Sequence, residues 1–340
     1  MSILLSPILS LYDKALMPLP ALAWTGASIS PLDVAGALRL AIALRQIREM
    51  LYKEHIKTMG VSKNARSNVS SPEPRGRARD VAATLVMVYG GEAIVSSWLG
   101  FPPSFMLDGV MPGLFVAAHF AVEAVPSVPS LGLTTELPAS ILDAFTRALL
   151  VCDIATAAVT THASRLVVAS PWTLLLTSFI FANAGPFLTS LFSLLPPTPI
   201  SLTTPPELLP YGWTSTDLWI APLSTALYAT LTHAQPFFTT LHALLFSFFQ
   251  PIGLASITGE GALEAVDPQT ARAACVALLS ACFVTRTVKK FGVAPIPAAH
   301  TTIGFEKRDM DGPQRQIMAR VSSGNNTGPV SVSGKKAKIQ

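Results

Sequence analysis

The chain has 340 residues, half of them apolar and only 13% charged, with a mean hydropathy of +0.47. A soluble domain carries about a quarter charged residues, so a water-soluble globule of ordinary surface is excluded. The formal charge of +4 and pI near 9.0 come almost wholly from the two ends, which reads as a membrane-topology signal rather than nucleic-acid binding.

Between Val81 and Thr285 the only basic residues are Arg147, Arg165 and Arg272, against eleven Asp or Glu, a formal charge of −8. An apolar stretch emptied of Lys and Arg and flanked by basic segments marks a multi-span membrane protein, the basic flanks staying on the cytoplasmic side. This length allows roughly six to eight spans of about 20 residues.

In chain order, Met1 to Pro20 shows no positively charged n-region and no clear cleavage site, so residues 1–32 read as an N-terminal segment without a cleavable signal. Asp33 to about Leu51 is a first span containing Arg39 and Arg45, which alternatively lies on the interface with its arginine stems snorkelling. A basic cytosolic linker, 49–79, follows, its Ser/Asn/Pro-rich centre reading as disordered. Further spans are expected at Val81–Leu99, about Val110–Val125, Ile141–His162 and Leu166–Leu195, the last kinked by Pro171 and Pro186. After a Pro-rich loop come two apolar pieces, 218–234 and 237–255, and a final span, Ala271–Val288, before a polar, basic tail, 292–340.

If the linker and the tail share a side, the number of crossings between them is even, so only one of the two pieces between 218 and 255 crosses. The reading is an all-α polytopic domain, 33–291, of seven transmembrane helices, with the N-terminus luminal and the C-terminus cytosolic. Asn68-Val69-Ser70 and Asn325-Asn326-Thr327 match the glycosylation sequon but fall on the cytosolic side of this topology.

An internal echo divides the spans. Gly91 and Gly185 each precede a serine (Ser96, Ser190) by five residues and a Pro-Pro pair (Pro102-Pro103, Pro196-Pro197) by eleven. The two spans are three apart in order, as in an inverted three-plus-three repeat with a functional path at its pseudo-two-fold interface. Gly90, Gly91, Gly185 and Pro186 then either kink the helices beside a water-filled path or permit close helix packing.

No enzyme motif is present, the six histidines do not sit at metal-ligand spacing, and neither catalysis nor a metal is expected. The three cysteines, Cys152, Cys275 and Cys282, all lie in apolar segments and suit packing better than a disulfide framework. Ionisable groups within spans are expensive, about 2.5–3.5 kcal/mol on insertion scales, and point to function. The candidates are Glu92, Glu123, Asp143, Arg147 and Asp153, with Asp143 the same-helix partner of Arg147 and His119 sharing a face with Glu123. Glu260, Glu264 and Asp267 are placed on the luminal rim, where acidic charge would concentrate cations.

Val88-Tyr89-Gly90-Gly91 with Pro102-Pro103, Phe120 to Pro126, Thr146-Arg147 and Thr161-His162-Ala163 resemble segments of the trimeric intracellular cation channel family, in order and spacing from about Leu32 to Phe291. The resemblance implies seven spans as an inverted 3+3 repeat plus a seventh helix. It further implies a homotrimeric potassium and sodium channel of the endoplasmic reticulum or nuclear envelope that supplies counter-ion flux. The family's basic pair in span four binds a phosphoinositide, which makes Arg147 the candidate for an acidic lipid. The family lysine of that pair falls on Asp143 here, the glycine-rich run of span five becomes Asn183-Ala184-Gly185-Pro186, and the stretch from Arg147 to His162 is about one helical turn longer. The pore or gating candidates are Arg147, Glu92, Asp153 and Asp143, the kink candidates Gly90, Gly91, Gly185 and Pro186. A secondary transporter with inverted repeats, and a membrane scaffold that transports nothing, are the rival classes.

Overall fold

In the computed structural model the described residues are 2–26, 28–62, 76–249 and 264–292, and among them every regular element is a helix, with no strand. The linker centre with its sequon, Glu260, and the tail with the second sequon lie outside the described residues. The helices are α1 Ser2–Leu16, α2 Pro31–Ser62, α3 Arg77–Leu99, α4 Ser104–Leu107, α5 Val110–Ala124 and α6 Leu133–Ala148. They continue with α7 Ala155–Thr160, α8 Arg165–Ala169, α9 Pro171–Leu191, α10 Thr216–Thr232, α11 Pro236–Phe249 and α12 Pro268–Phe291. Three of them, α3, α9 and α12, are long and apolar enough to cross a membrane, which suggests an integral membrane protein.

Several boundaries differ from the sequence reading. α2 runs on to Ser62, well past Leu51, because the stretch after Arg45 is rich in helix formers and opens with an Arg45–Glu49 pair at 3.0 Å. α2 also packs into the bundle: Arg45 and Arg48 are buried, and Arg45 donates to the carbonyls of Val122, Val125 and Pro126 that close α5. Pro171 kinks nothing. It starts α9 at its first helical position, where the missing N–H costs no bond, and the Ser170 side chain caps that end by accepting from the Thr173 amide. α6 begins eight residues before Ile141 and continues without a break through a π-turn, Leu149–Ile154, into α7. Inside that wider turn the Thr156 hydroxyl donates to the carbonyl of Val151.

The N-terminal segment is helical as well, and α1 packs with the other helices as one compact unit. Tyr12 stacks on Phe145 at 5.4 Å and donates to its carbonyl, while Arg272 of α12 lies 5.1 Å over the Tyr12 ring. Around it, Ala144 and Ala148 of α6 and Val276 and Leu279 of α12 form the most buried layer. Helices in lipid gain little from the hydrophobic effect against each other, so such close, small-residue contacts carry the association.

α3 and α9 cross antiparallel at their glycines. A β-carbon at Gly91 would lie 2.7 Å from the Ile180 carbonyl oxygen and 2.8 Å from the Cα of Phe181, and one at Gly185 would lie 2.8 Å from the carbonyl carbon of Met87. Each glycine therefore faces the residue four places before the other. Both helices run unbroken through these residues.

Contacts define two ends of the bundle. At one, Arg79 holds the segment after α9, Arg286 pairs with Asp217 at the start of α10, and Ser140 meets Thr287 at 2.5 Å. At the other, the His162 ring donates to the carbonyl of Leu99, Gln235 donates to Val168, and the Val266 amide donates to Leu231. α10 joins the two ends, whereas α11 starts at the end where α12 also starts, so of the pieces 218–234 and 237–255 it is the first that bridges the bundle.

Candidate functional site

Arg147 sits near the middle of the continuous helix formed by α6, the π-turn and α7. Its Nη1 donates to the carbonyl of Ala182 on α9 at 2.7 Å. That carbonyl is the one Pro186 leaves vacant: a helical N–H four residues on would bond it, and proline has none. The proline seen in the sequence thus opens an acceptor inside the bundle, and Arg147 fills it.

The rest of the guanidinium faces a cavity of about 500 Å3. Asn183 and Pro186 form its α9 wall, and Glu207 and Tyr211 come from the segment between α9 and α10, which holds only two short 3-10 turns, Pro206–Leu208 and Gly212–Thr214. Asp217 and Arg286, ion-paired with each other, stand at its edge, and the Arg286 guanidinium also lies 5.0 Å over the ring of Phe283. This second wall is tightly folded. Tyr211 takes a left-handed conformation, and a β-carbon at Gly212 would lie 2.9 Å from backbone atoms of Glu207, so only glycine fits there. One oxygen of Glu207 is buried without a hydrogen-bond partner. Two arginines and two carboxylates around one cavity make a polar, charge-balanced niche beside an apolar helix pair.

The other candidates lie elsewhere, and each has its own partner. Asp143 is not paired with Arg147: Arg39 on α2 takes it, at 3.2 and 3.3 Å, and reaches Glu136 at 2.9 Å as well. The cause is the antiparallel packing of α2 along α6, where Gly36 sits against Thr146 and brings Arg39 opposite Asp143. Asp153, in the π-turn, pairs with Arg272 at 2.5 Å, the same arginine that lies over the Tyr12 ring. Glu92 accepts from the amide and hydroxyl of Ser104, at 2.5 and 2.9 Å, and so caps the short α4 after Pro102-Pro103. Glu92, Arg147 and Asp153 therefore do not meet in one cavity. His119 lies 3.4 Å from the Thr84 hydroxyl, and Glu123 accepts from Arg48 at 2.5 Å. Asp267 is the N-cap of α12, accepting from the Gln269 and Thr270 amides.

Glu207, Asp217 and Arg286 were missed as site residues. Asp217 in the first turn of an apolar helix reads locally as a helix-start signal, and Arg286 belongs by sequence to the basic flank. Only tertiary packing brings them to Arg147. No group of three or more His, Cys, Asp or Glu among the described residues could hold a metal ion, and the three cysteines are free thiols. No family's sequence model, no curated protein and no solved structure matches the chain.

Proposed function

We propose that this chain is a monovalent-cation channel of an intracellular membrane, with seven crossings and a conduction path inside each protomer. The observation that carries the reading is the cavity at Arg147. Irregular backbone is tolerated where it lines a water-filled space, and here the segment leading into α10 brings Glu207, together with Asp217 of the first turn of α10, to a mid-helix arginine. The carboxylates would attract cations, and Arg147, held on Ala182, would be the gate. The −8 charge of the central stretch favours cations over anions in the same way.

The seven crossings are α2, α3, α5, α6–α7, α9, α10 and α12, with α11 lying at one end of the bundle. The reciprocal approach of Gly91 and Gly185 supports the inverted repeat, since exchanging the two halves maps each contact onto the other. The homotrimer, the organelle and the choice of potassium and sodium rest on the family resemblance alone. Relative to the sequence reading, the path loses Glu92, Asp143 and Asp153 and gains Asp217, Glu207 and Arg286.

Planar-bilayer recording of the purified protein in symmetrical potassium chloride tests it. Unitary current steps are expected, with Arg147→Ala changing their amplitude or open probability; a silent bilayer overturns the reading. The rival with an observation of its own is the secondary transporter, because a π-turn widens the continuous α6–α7 helix at the Asp153–Arg272 pair. It predicts saturable flux without unitary steps.

A further inference from the structure

A second and larger cavity, about 790 Å3, opens between the C-terminal half of α2, the first turn of α3 and the segment after α9. Its walls differ in kind. Leu194 to Pro197 and Ile200 give it an apolar floor, while Tyr52 and Lys53 stand on the rim beside Arg48 and Arg79.

Two arginines fix its shape. Arg79 donates to the carbonyls of Ser193, Leu194, Pro196 and Thr198, at 2.5, 3.0, 2.8 and 2.7 Å, so the floor is wound round one guanidinium. Arg48 is buried and bridges Asp80 and Glu123, tying α2 to α3 and α5. Lys53, exposed on the rim, takes no part in that framework. It lies on the basic face of the molecule, with Lys57 farther along α2 and Arg77 at the start of α3, whose positive dipole end also points here.

We infer that this cavity binds an acidic phospholipid, its phosphate on Lys53 and Tyr52 and its first acyl carbons on the Leu194–Ile200 floor. Charge complementarity names the class. Arg48, Lys53 and Arg79 outnumber Glu49 and Asp80 around the opening, at the end that carries the basic linker and so faces the anionic leaflet. The floor selects an amphiphile, because a free anion would gain nothing from five apolar residues, and the volume suits a headgroup with its proximal chain. The site is separate from Arg147, where the family resemblance would put such a lipid. The inference rests on the membrane reading and not on conduction, so either can fail without the other.

The test uses the full-length protein in detergent micelles, read by native mass spectrometry with dioctanoyl phosphatidic acid, dioctanoyl phosphatidylcholine and inorganic phosphate as probes. Phosphatidic acid should be retained in preference to phosphatidylcholine. Lys53→Gln should weaken that retention about fivefold, the effect of one basic side chain beside an anionic headgroup. Lys53→Arg should restore it, and Leu195→Asp should remove it by putting a carboxylate into the floor. Arg165→Gln, which deletes a basic charge at the opposite end, should change nothing. Equal retention of phosphatidylcholine overturns the inference, and so does indifference to both Lys53→Gln and Leu195→Asp. Displacement of the lipid by inorganic phosphate at similar concentration would make this a phosphate site and also overturn it. Retention lost in Arg147→Gln but kept in Lys53→Gln would move the lipid to Arg147.

Discussion

Arg147 donates to the one carbonyl of α9, that of Ala182, whose helical partner is removed by Pro186. Two unfavourable features, an arginine in mid-helix within the bundle and a proline inside a helix, offset each other across a helix pair. Arg147→Ala should therefore cost about 1–3 kcal/mol, the penalty of an unsatisfied buried carbonyl. In a Pro186→Ala background the restored N–H of residue 186 takes over that acceptor, so the same substitution should cost less. A double-mutant cycle of thermal stability in detergent checks this. Strict additivity of the two substitutions would show that the carbonyl does not couple them.

The glycine crossing makes a sharper distinction between neighbours. At Gly91 and Gly185 a methyl group would strike backbone atoms of the facing helix, which cannot move aside singly. Alanine at either position should destabilise the fold by about 1–3 kcal/mol through overpacking. At Gly90 the nearest obstacle is Leu188 Cδ1 at 3.0 Å, the far end of a flexible side chain. Alanine there also gains about 1 kcal/mol of helix propensity, so the net change should be close to zero. Melting temperatures of the three variants should separate Gly90→Ala from the other two.

Much of this architecture was legible in the sequence, and the boundary of what was not has a physical cause. Spans, glycines and Pro186 are written in local composition and spacing, and those survive into α3, α9 and α12. Charge partners are not local. The i,i+4 rule assigned Asp143 to Arg147, but Arg39, 104 residues away in sequence, holds both oxygens of Asp143 with one guanidinium. α1 escaped notice because it is only 15 residues long and contains Pro7; its place depends on Tyr12 finding Phe145 and Arg272. The cavity at Arg147 was half visible, through Arg147 and Pro186. Its acidic half comes from Glu207 and Asp217, which reach it through a Pro-rich segment whose path no periodicity predicts.

The Asp153–Arg272 pair should show the asymmetry of partly buried ion pairs. Removing one partner with Asp153→Asn or Arg272→Gln strands the other charge among Tyr12, Tyr228 and the α12 core. The expected loss is about 3 kcal/mol, the lower end for a buried pair because both side chains keep some exposure. Replacing both, as Asp153→Leu with Arg272→Met, should recover most of it. A double variant as unstable as the sum of the singles would mean that the charges do more than neutralise each other.

The junction of α10 and α11 predicts a pH dependence. His233, in a left-handed conformation at the end of α10, and His242 on α11 share a hydrogen bond of 2.7 Å between Nε2 and Nδ1. One ring must donate and the other accept, so the bond exists only while at least one imidazole is neutral. Burial, and then the neighbouring His233, hold His242 below the ordinary histidine range. A depressed histidine pKa favours the neutral form in the folded state, so its contribution is fully present above about pH 6.5 and is lost as pH falls below that value. α11 should therefore loosen from α10 in mildly acidic solution while α3, α9 and α12 stay protected. Hydrogen exchange read by mass spectrometry at neutral and acidic pH would show faster exchange confined to residues 236–249, after correction for the intrinsic rate. In His242→Phe the pH dependence of that exchange should disappear, because no proton can then be taken up at the joint; its persistence would assign the effect to another group.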